Sequence, residues 1–186
     1  MNKVYTYDEY INLNENNIEL IEGKLLTQPD ETYRHIRIIL ELSRQFTNYF
    51  EENKEFEILC KPTILKLVES DTIKSVTKPS MIIKCKDSHV DKENMQNQLP
   101  NIVIELILDE ATKENEMKIK KNLYEKYKIP EYWIVDPFKD IVEIHKLIRD
   151  KYVTSEKYES NMEIKVDIFK KLKISLKELF YEDMNI

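Results

Sequence analysis

Glu105 stands in the middle of the run NIVIELIL (101–108), flanked by isoleucine, valine and leucine. An unpaired carboxylate buried in such a strand would be costly. A position at a sheet edge, an ion pair with a lysine, or a metal ion would compensate it. Hard cations such as Mg²⁺ take carboxylate oxygens and keep waters for a substrate phosphate. Further along, Lys120 lies one turn before Tyr124, on a helix face adjoining an apolar contact. A lysine there can meet a phosphate, although lysines on helices more commonly form a solvated face.

Other chemistries find little support. The single glycine, Gly23, excludes the glycine-rich loops whose amides cradle phosphates, and also the GxSxG turn of serine hydrolases. Cys60 and Cys85 are far apart without CxxC spacing, which argues against zinc or a disulfide framework and for two isolated buried thiols. A net charge of −6 argues against indiscriminate nucleic-acid binding. One local exception runs from Ala111 to Lys128, where Lys113, Lys118, Lys120, Lys121, Lys126 and Lys128 outnumber Glu114, Glu116 and Glu125, a balance of +3. No run approaches the ~18 apolar residues of a membrane span, and the first residues lack the apolar stretch of a signal peptide. The expected location is cytoplasmic, with no membrane contact.

The elements that must position these residues can be read in order. With no repeat, low-complexity tract or linker, the 186 residues read as one domain spanning 1–186. Thr6 and Glu9 have capping-box spacing and begin a short helix toward Asn14. IELIEGKLLT (18–27) reads as a hairpin turning at Glu22-Gly23. A long helix is predicted from Thr32 to about Glu51, with Ile36, Ile39, Leu40, Phe46 and Phe50 on its sheet-facing side and His35 near its start. FEILC (56–60) and TILKLVE (63–69) read as strands, and Ser70 to Lys78 as a loop. SMIIKC (80–85) and NIVIELIL have the continuous apolar character of strands covered on both faces. The polar stretch from Lys86 to Gln98 between them reads as an exposed loop. A helix over Lys113 to Lys128 stops before Pro130. EYWIVD (131–136) is the next strand, then DIVEIHKLIR and KYVTSEKY pair around Asp150, and LKELF forms a last short helix. Tyr132 and Trp133 could stack on bases, but their alternation on a central strand favours core aromatics. The pattern implies an α/β or α+β layered domain with helices on a mixed sheet.

NIELIEGKLL (17–26), His35, LPNIVIELILDEAT (99–112) and KKNLYEKYKIPEYWIVDP (120–137) together resemble the Uma-type restriction endonuclease family, a branch of the PD-(D/E)XK nuclease superfamily. The resemblance runs from about Tyr7 to Phe180, and IPEYWIVDP behind a lysine-tyrosine helix is its most specific element. It implies a restriction-endonuclease-like mixed central sheet flanked by helices. Two carboxylates on adjacent strands would hold Mg²⁺, and a lysine would complete the site. Glu105 matches the second carboxylate and Lys120 the lysine, displaced onto the helix because Ile107 stands two residues after the glutamate. His35 matches a polar group that reaches the same pocket.

The chemistry so implied is phosphodiester hydrolysis of DNA, with the metal activating a water and the lysine stabilising charge on the phosphate. The family's proline-aspartate pair, however, appears as Pro79-Ser80, and a hydroxyl brings no charge. Losing one of two anionic ligands should weaken Mg²⁺ binding severely. Asp71 and Asp87 are poorly placed substitutes. Asn101, at another family aspartate position, reads as structural. Two expectations follow: an endonuclease that needs Mg²⁺, with DNA as partner and a homodimer as a plausible assembly, or a degenerate relative without a cofactor that binds nucleic acid or protein. A protein-interaction module without any nucleic-acid role also fits the acidic net charge.

Overall fold

The computed structural model describes residues 3–51, 56–70, 72–85, 99–169 and 171–181. Thr6 caps helix α1 (Tyr7–Ile11) reciprocally: its hydroxyl accepts from the Glu9 amide while the Glu9 carboxylate accepts from the Thr6 amide. Strands β1 (Ile18–Ile21) and β2 (Lys24–Thr27) form the expected hairpin, with Glu22 and Gly23 both at positive φ, as a two-residue primed turn requires. Gly23 takes its positive φ at little cost, and a Cβ there would lie 2.5 Å from a methyl of the exposed Val4 side chain, which would have to shift.

Helix α2 (Tyr33–Phe50) buries His35, Ile38, Leu42, Gln45, Phe46 and Phe50, whereas Ile36 and Leu40 are exposed. The expected face is therefore corrected at these two positions. At ~100° per residue, Leu42 and Phe50 lie about 40° from Phe46 around the helix and Leu40 about 120° away. Anchoring by Phe46, whose ring meets Phe50, Trp133 and Phe169, selects the first set.

Strands β3 (Phe56–Cys60), β6 (Met81–Cys85), β7 (Ile102–Leu106), β8 (Glu131–Asp136), β9 (Ile141–Ile148) and β10 (Lys151–Glu159) form a six-stranded sheet in the order β10-β9-β8-β7-β6-β3. Within it β7 and β8 run parallel, joined through helix α3 (Lys113–Lys126), and the other neighbours run antiparallel. A second sheet has the order β2-β1-β5-β4, with β4 at Leu65–Glu69 and β5 at Thr72–Thr77. Strand β5 replaces the loop expected over Ser70 to Lys78. Its polar sequence TIKSVT hides a strand because Ser75, Val76 and Thr77 are buried between β1 and β4. Strands β11 (Glu163–Lys165) and β12 (Lys173–Ser175) pair before helix α4 (Leu176–Leu179), which Ser175 caps.

The large sheet is covered on both faces. Ile102, Ile104 and Leu106 pack with Ile38, Leu42 and Phe46 of α2, while Val103 packs with Leu123, Tyr124 and Tyr132 on the α3 side. Ile21, Leu65 and Leu67 bring the smaller sheet onto this second face. Tyr132 and Trp133 are fully buried core aromatics. The two thiols are not both buried: Cys60 is half-buried and Cys85 exposed, because each ends its strand. The loop expected from Lys86 to Gln98, with Asp87, lies outside the described residues, as does Asp71. Among the described residues, no helix is long and apolar enough to cross a membrane.

Candidate functional site

The alternation of β7 turns Glu105 to the same face as Val103, under α3, where it is 2 % exposed. Helix α3 buries Glu116, Met117, Lys120, Leu123 and Tyr124 along one side, so a lysine and a tyrosine one turn apart both descend onto Glu105. The Lys120 ammonium lies 3.1 Å from Glu105 Oε2, and the Tyr124 hydroxyl donates to Glu105 Oε1 at 2.7 Å. Thr77 Oγ1, 3.2 Å from Tyr124 Oη, supplies the second partner of that hydroxyl.

Sequence reasoning missed a third participant, Glu19 of β1. Its side chain is fully buried, and Lys120 Nζ lies 3.3 Å from Oε1 and 3.2 Å from Oε2. The Lys78 amide donates to Glu19 Oε1 at 2.6 Å, and Gln28 Nε2 donates to Oε2 at 3.1 Å. Glu116, one turn before Lys120, contributes a third carboxylate at 3.7 Å. One ammonium therefore serves three buried glutamates, a formal balance of −2. The signal that could have found Glu19 is the one that found Glu105, a carboxylate within an apolar strand, IELI.

The electrostatics follow from burial and crowding. Burial by itself would pull the Lys120 ammonium toward neutrality, but Glu105, Glu19 and Glu116 together hold its pKa above the ordinary lysine value. Burial raises the Glu19 carboxyl and Glu105 adds to it, against the opposing pull of Lys120 and the Lys78 amide. Burial, then Glu105 and Glu19, push the Tyr124 phenol far up, so it stays a donor. Tyr124→Phe is expected to remove roughly 1.5–3 kcal/mol of stability at pH 7, the range for a hydrogen bond to a charged group, measurable by urea unfolding.

Ser80 is buried beside this group, at the start of β6. Its Oγ accepts from the Leu106 amide at 3.1 Å and brings no charge. Asn101 fixes a strand end, accepting from the Cys85 amide at 2.7 Å. His35 is not brought to the same contacts. It sits on the α2 face of the sheet, where Nδ1 accepts from the Thr32 amide at 2.9 Å and the ring donates to the Ile107 carbonyl. Burial, with Lys61 and Arg34, keeps its pKa below the ordinary value against the opposing pull of Glu31.

A Mg²⁺ ion would need near-octahedral oxygen donors at about 2.0–2.1 Å. Here every carboxylate oxygen of Glu19 and Glu105 already accepts from a protein donor, and an ammonium lies between the two side chains. Among the described residues, no group of three or more His, Cys, Asp or Glu side chains is arranged to hold a metal. The ion does not fit this arrangement.

Beside the buried group, a cleft of about 510 Å³ opens between α3 and strands β8 and β9. The sheet register sets its distance: Glu105 pairs across to Ile134, Ile134 to Glu143, and Glu143 to Lys157. Lys113, Lys118, Lys121, Lys139 and Lys157 line it, outnumbering Glu114, Asp136 and Glu143. Lys113 and Lys157 are paired with Asp136 and Glu143 respectively.

Comparison with known proteins identifies the architecture. The sequence profile of a family described as "Uma2: Putative restriction endonuclease" matches residues 5–177. A crystal structure described as a putative nuclease belonging to DUF820, from Anabaena variabilis, superimposes with a TM-score of 0.72 at 20% identity, over 94% of this chain and 97% of that one. No curated protein matches.

Proposed function

Because the chain belongs to the Uma2 restriction endonuclease family, we propose that it is a nuclease-fold protein that binds nucleic acid without hydrolysing it. The observation that carries this reading is the Lys120 ammonium, 1 % exposed and held by Glu19, Glu105 and Glu116. A lysine so enclosed cannot meet a phosphate unless the group comes apart, and uncovering unpaired buried carboxylates is costly. Ser80 supports the same reading, since it offers a neutral oxygen already engaged by the Leu106 amide. The lysines of the neighbouring cleft favour retained contact with phosphates despite the acidic chain.

Incubation of the purified protein with plasmid DNA and Mg²⁺ or Mn²⁺ should give no nicking above an E105A control. Nicking that disappears in E105A would establish instead a working Mg²⁺-dependent endonuclease. Binding to a short DNA duplex should weaken about tenfold between 50 and 200 mM salt, the loss for roughly two phosphate contacts. Absence of binding at low salt would remove the nucleic-acid half of the proposal.

A further inference from the structure

Helix α3 covers only part of its face of the large sheet. Alternation turns Ile134 and Asp136 of β8, Glu143 and His145 of β9 and Lys157 of β10 to that face, where they floor the cleft of about 510 Å³ beside the helix. The carboxylates of this floor are already satisfied. Glu143 Oε1 lies 3.0 Å from His145 Nε2, and its Oε2 lies 3.2 Å from the Lys157 ammonium. Asp136 accepts from the Phe138 and Lys139 amides and lies 3.5 Å from the Lys113 ammonium. On the helix side, Lys118 and the half-buried Lys121 form no ion pair among the described residues. We infer that the cleft seats the terminal nucleotide of a nucleic-acid single strand, with its phosphomonoester on Lys118 and Lys121 and its base against Ile107, Met117, Ile134 and Ile141. The inference rests on the reading of this cleft as a phosphate-contacting surface and narrows it to a strand end.

Charge selects the phosphate. Lys118 and Lys121, three positions apart on α3, are neighbours on one side of the helix. Two ammoniums without carboxylates of their own match a phosphomonoester, which carries about −1.5 to −2 at pH 7, better than the single charge of a diester. Burial first, and then Lys121, hold the His145 pKa below its ordinary value, so the Lys121 charge is felt at the cleft floor. Shape and polarity select the rest of the ligand. Ile107, Met117, Ile134 and Ile141 offer apolar surface that a phosphate does not use, and the volume falls in the range of about 300–1,000 Å³ for small-ligand sites. A base paired and stacked inside a duplex must first be extruded to enter such a cleft, whereas an unpaired terminal base is free to do so.

The test is fluorescence anisotropy of the full chain at low salt with a short labelled DNA strand, carrying its terminal phosphate at the 5′ or the 3′ end. One of these strands should bind about tenfold more tightly than the same strand ending in hydroxyls, and about tenfold more tightly than a blunt duplex carrying the same phosphate. An abasic terminal nucleotide should lose about fivefold. K118A/K121A should abolish the preference for phosphate, and K24A/K66A, which removes the same charge from the smaller sheet, should keep it. If K118A/K121A does not fold, K118Q/K121Q, which keeps most of each stem without the charge, is read in its place. Thymidine 5′-monophosphate that competes with the strand at equal concentration supports the site and assigns it to free nucleotides. Equal affinity for phosphorylated and hydroxyl ends, or for intact and abasic ends, or a preference that survives K118A/K121A, overturns the inference, and the proposed function stands if salt-sensitive duplex binding remains. Absence of binding to strand and duplex alike at low salt overturns both.

Discussion

Lys120→Met should lower stability by about 3–5 kcal/mol at pH 7, measured by urea unfolding, because it leaves Glu19, Glu105 and Glu116 buried without their shared counter-charge. The loss should shrink on acidification. Glu19 already has a folded-state pKa above its ordinary value, chiefly from burial, and Lys120 is the main force opposing that rise. Removing the lysine raises it further. A carboxyl with a raised folded-state pKa contributes stability that is fully present below the unfolded pKa and disappears as pH rises through the folded one. The variant should therefore be most stable on the acidic side of the raised Glu19 pKa and weaken as pH increases through it. Lys126→Met is the contrast. Lys126 also holds two glutamates, Glu22 at 2.6 Å and Glu69 at 3.0 Å, but its side chain is 44% exposed, so its loss should cost only about 0–1 kcal/mol. Equal costs for the two variants would show that burial of the Lys120 group has no energetic consequence.

Trp133→Ala should cost about 3–5 kcal/mol, as large buried aromatics do. The ring is fully buried against Phe46, with centroids 5.9 Å apart, and its Nε1 donates to Glu131 at 2.9 Å. The milder Trp133→Phe should leave DNA affinity unchanged in the folded protein, as measured by fluorescence anisotropy. A drop in affinity there would mean that the EYW segment contacts bases, contrary to its place in the core.

Much of the frame was legible because its signals are local. The Thr6 and Glu9 cap, the Glu22-Gly23 turn and the strand EYWIVD all appear where short-range spacing puts them. Glu105 was legible for another reason: a charge among isoleucines is conspicuous wherever the strand ends up. Glu19 has the same character, but alternation in IELIEGKLL makes it look like the wet side of a hairpin strand. Only the docking of its own small sheet against α3 and the large sheet buries it. Lys120 was ambiguous for the same cause, since a lysine among lysines looks solvated until Tyr124 and Leu123 are seen to dock beside it. Strand β5 was hidden by its serine and threonines, and the outward turn of Ile36 and Leu40 by reading apolar residues without fixing the helix phase on Phe46. His35, which the family resemblance placed at the pocket, lies on the α2 face of the sheet, where it accepts from the Thr32 amide and meets the Ile107 carbonyl instead of the Lys120 group.

The span of the Glu19 contacts bears on how the chain assembles. Glu19 meets Lys120 across 101 positions and the Lys78 amide across 59, so none of these bonds can form within a nascent local segment. A partly folded chain that docks the hairpin before α3 arrives holds acidic groups together with nothing to quiet their repulsion. Such an arrangement would be penalised until the lysine seats, so the interior charges would favour forming the hairpin and α3 contacts together.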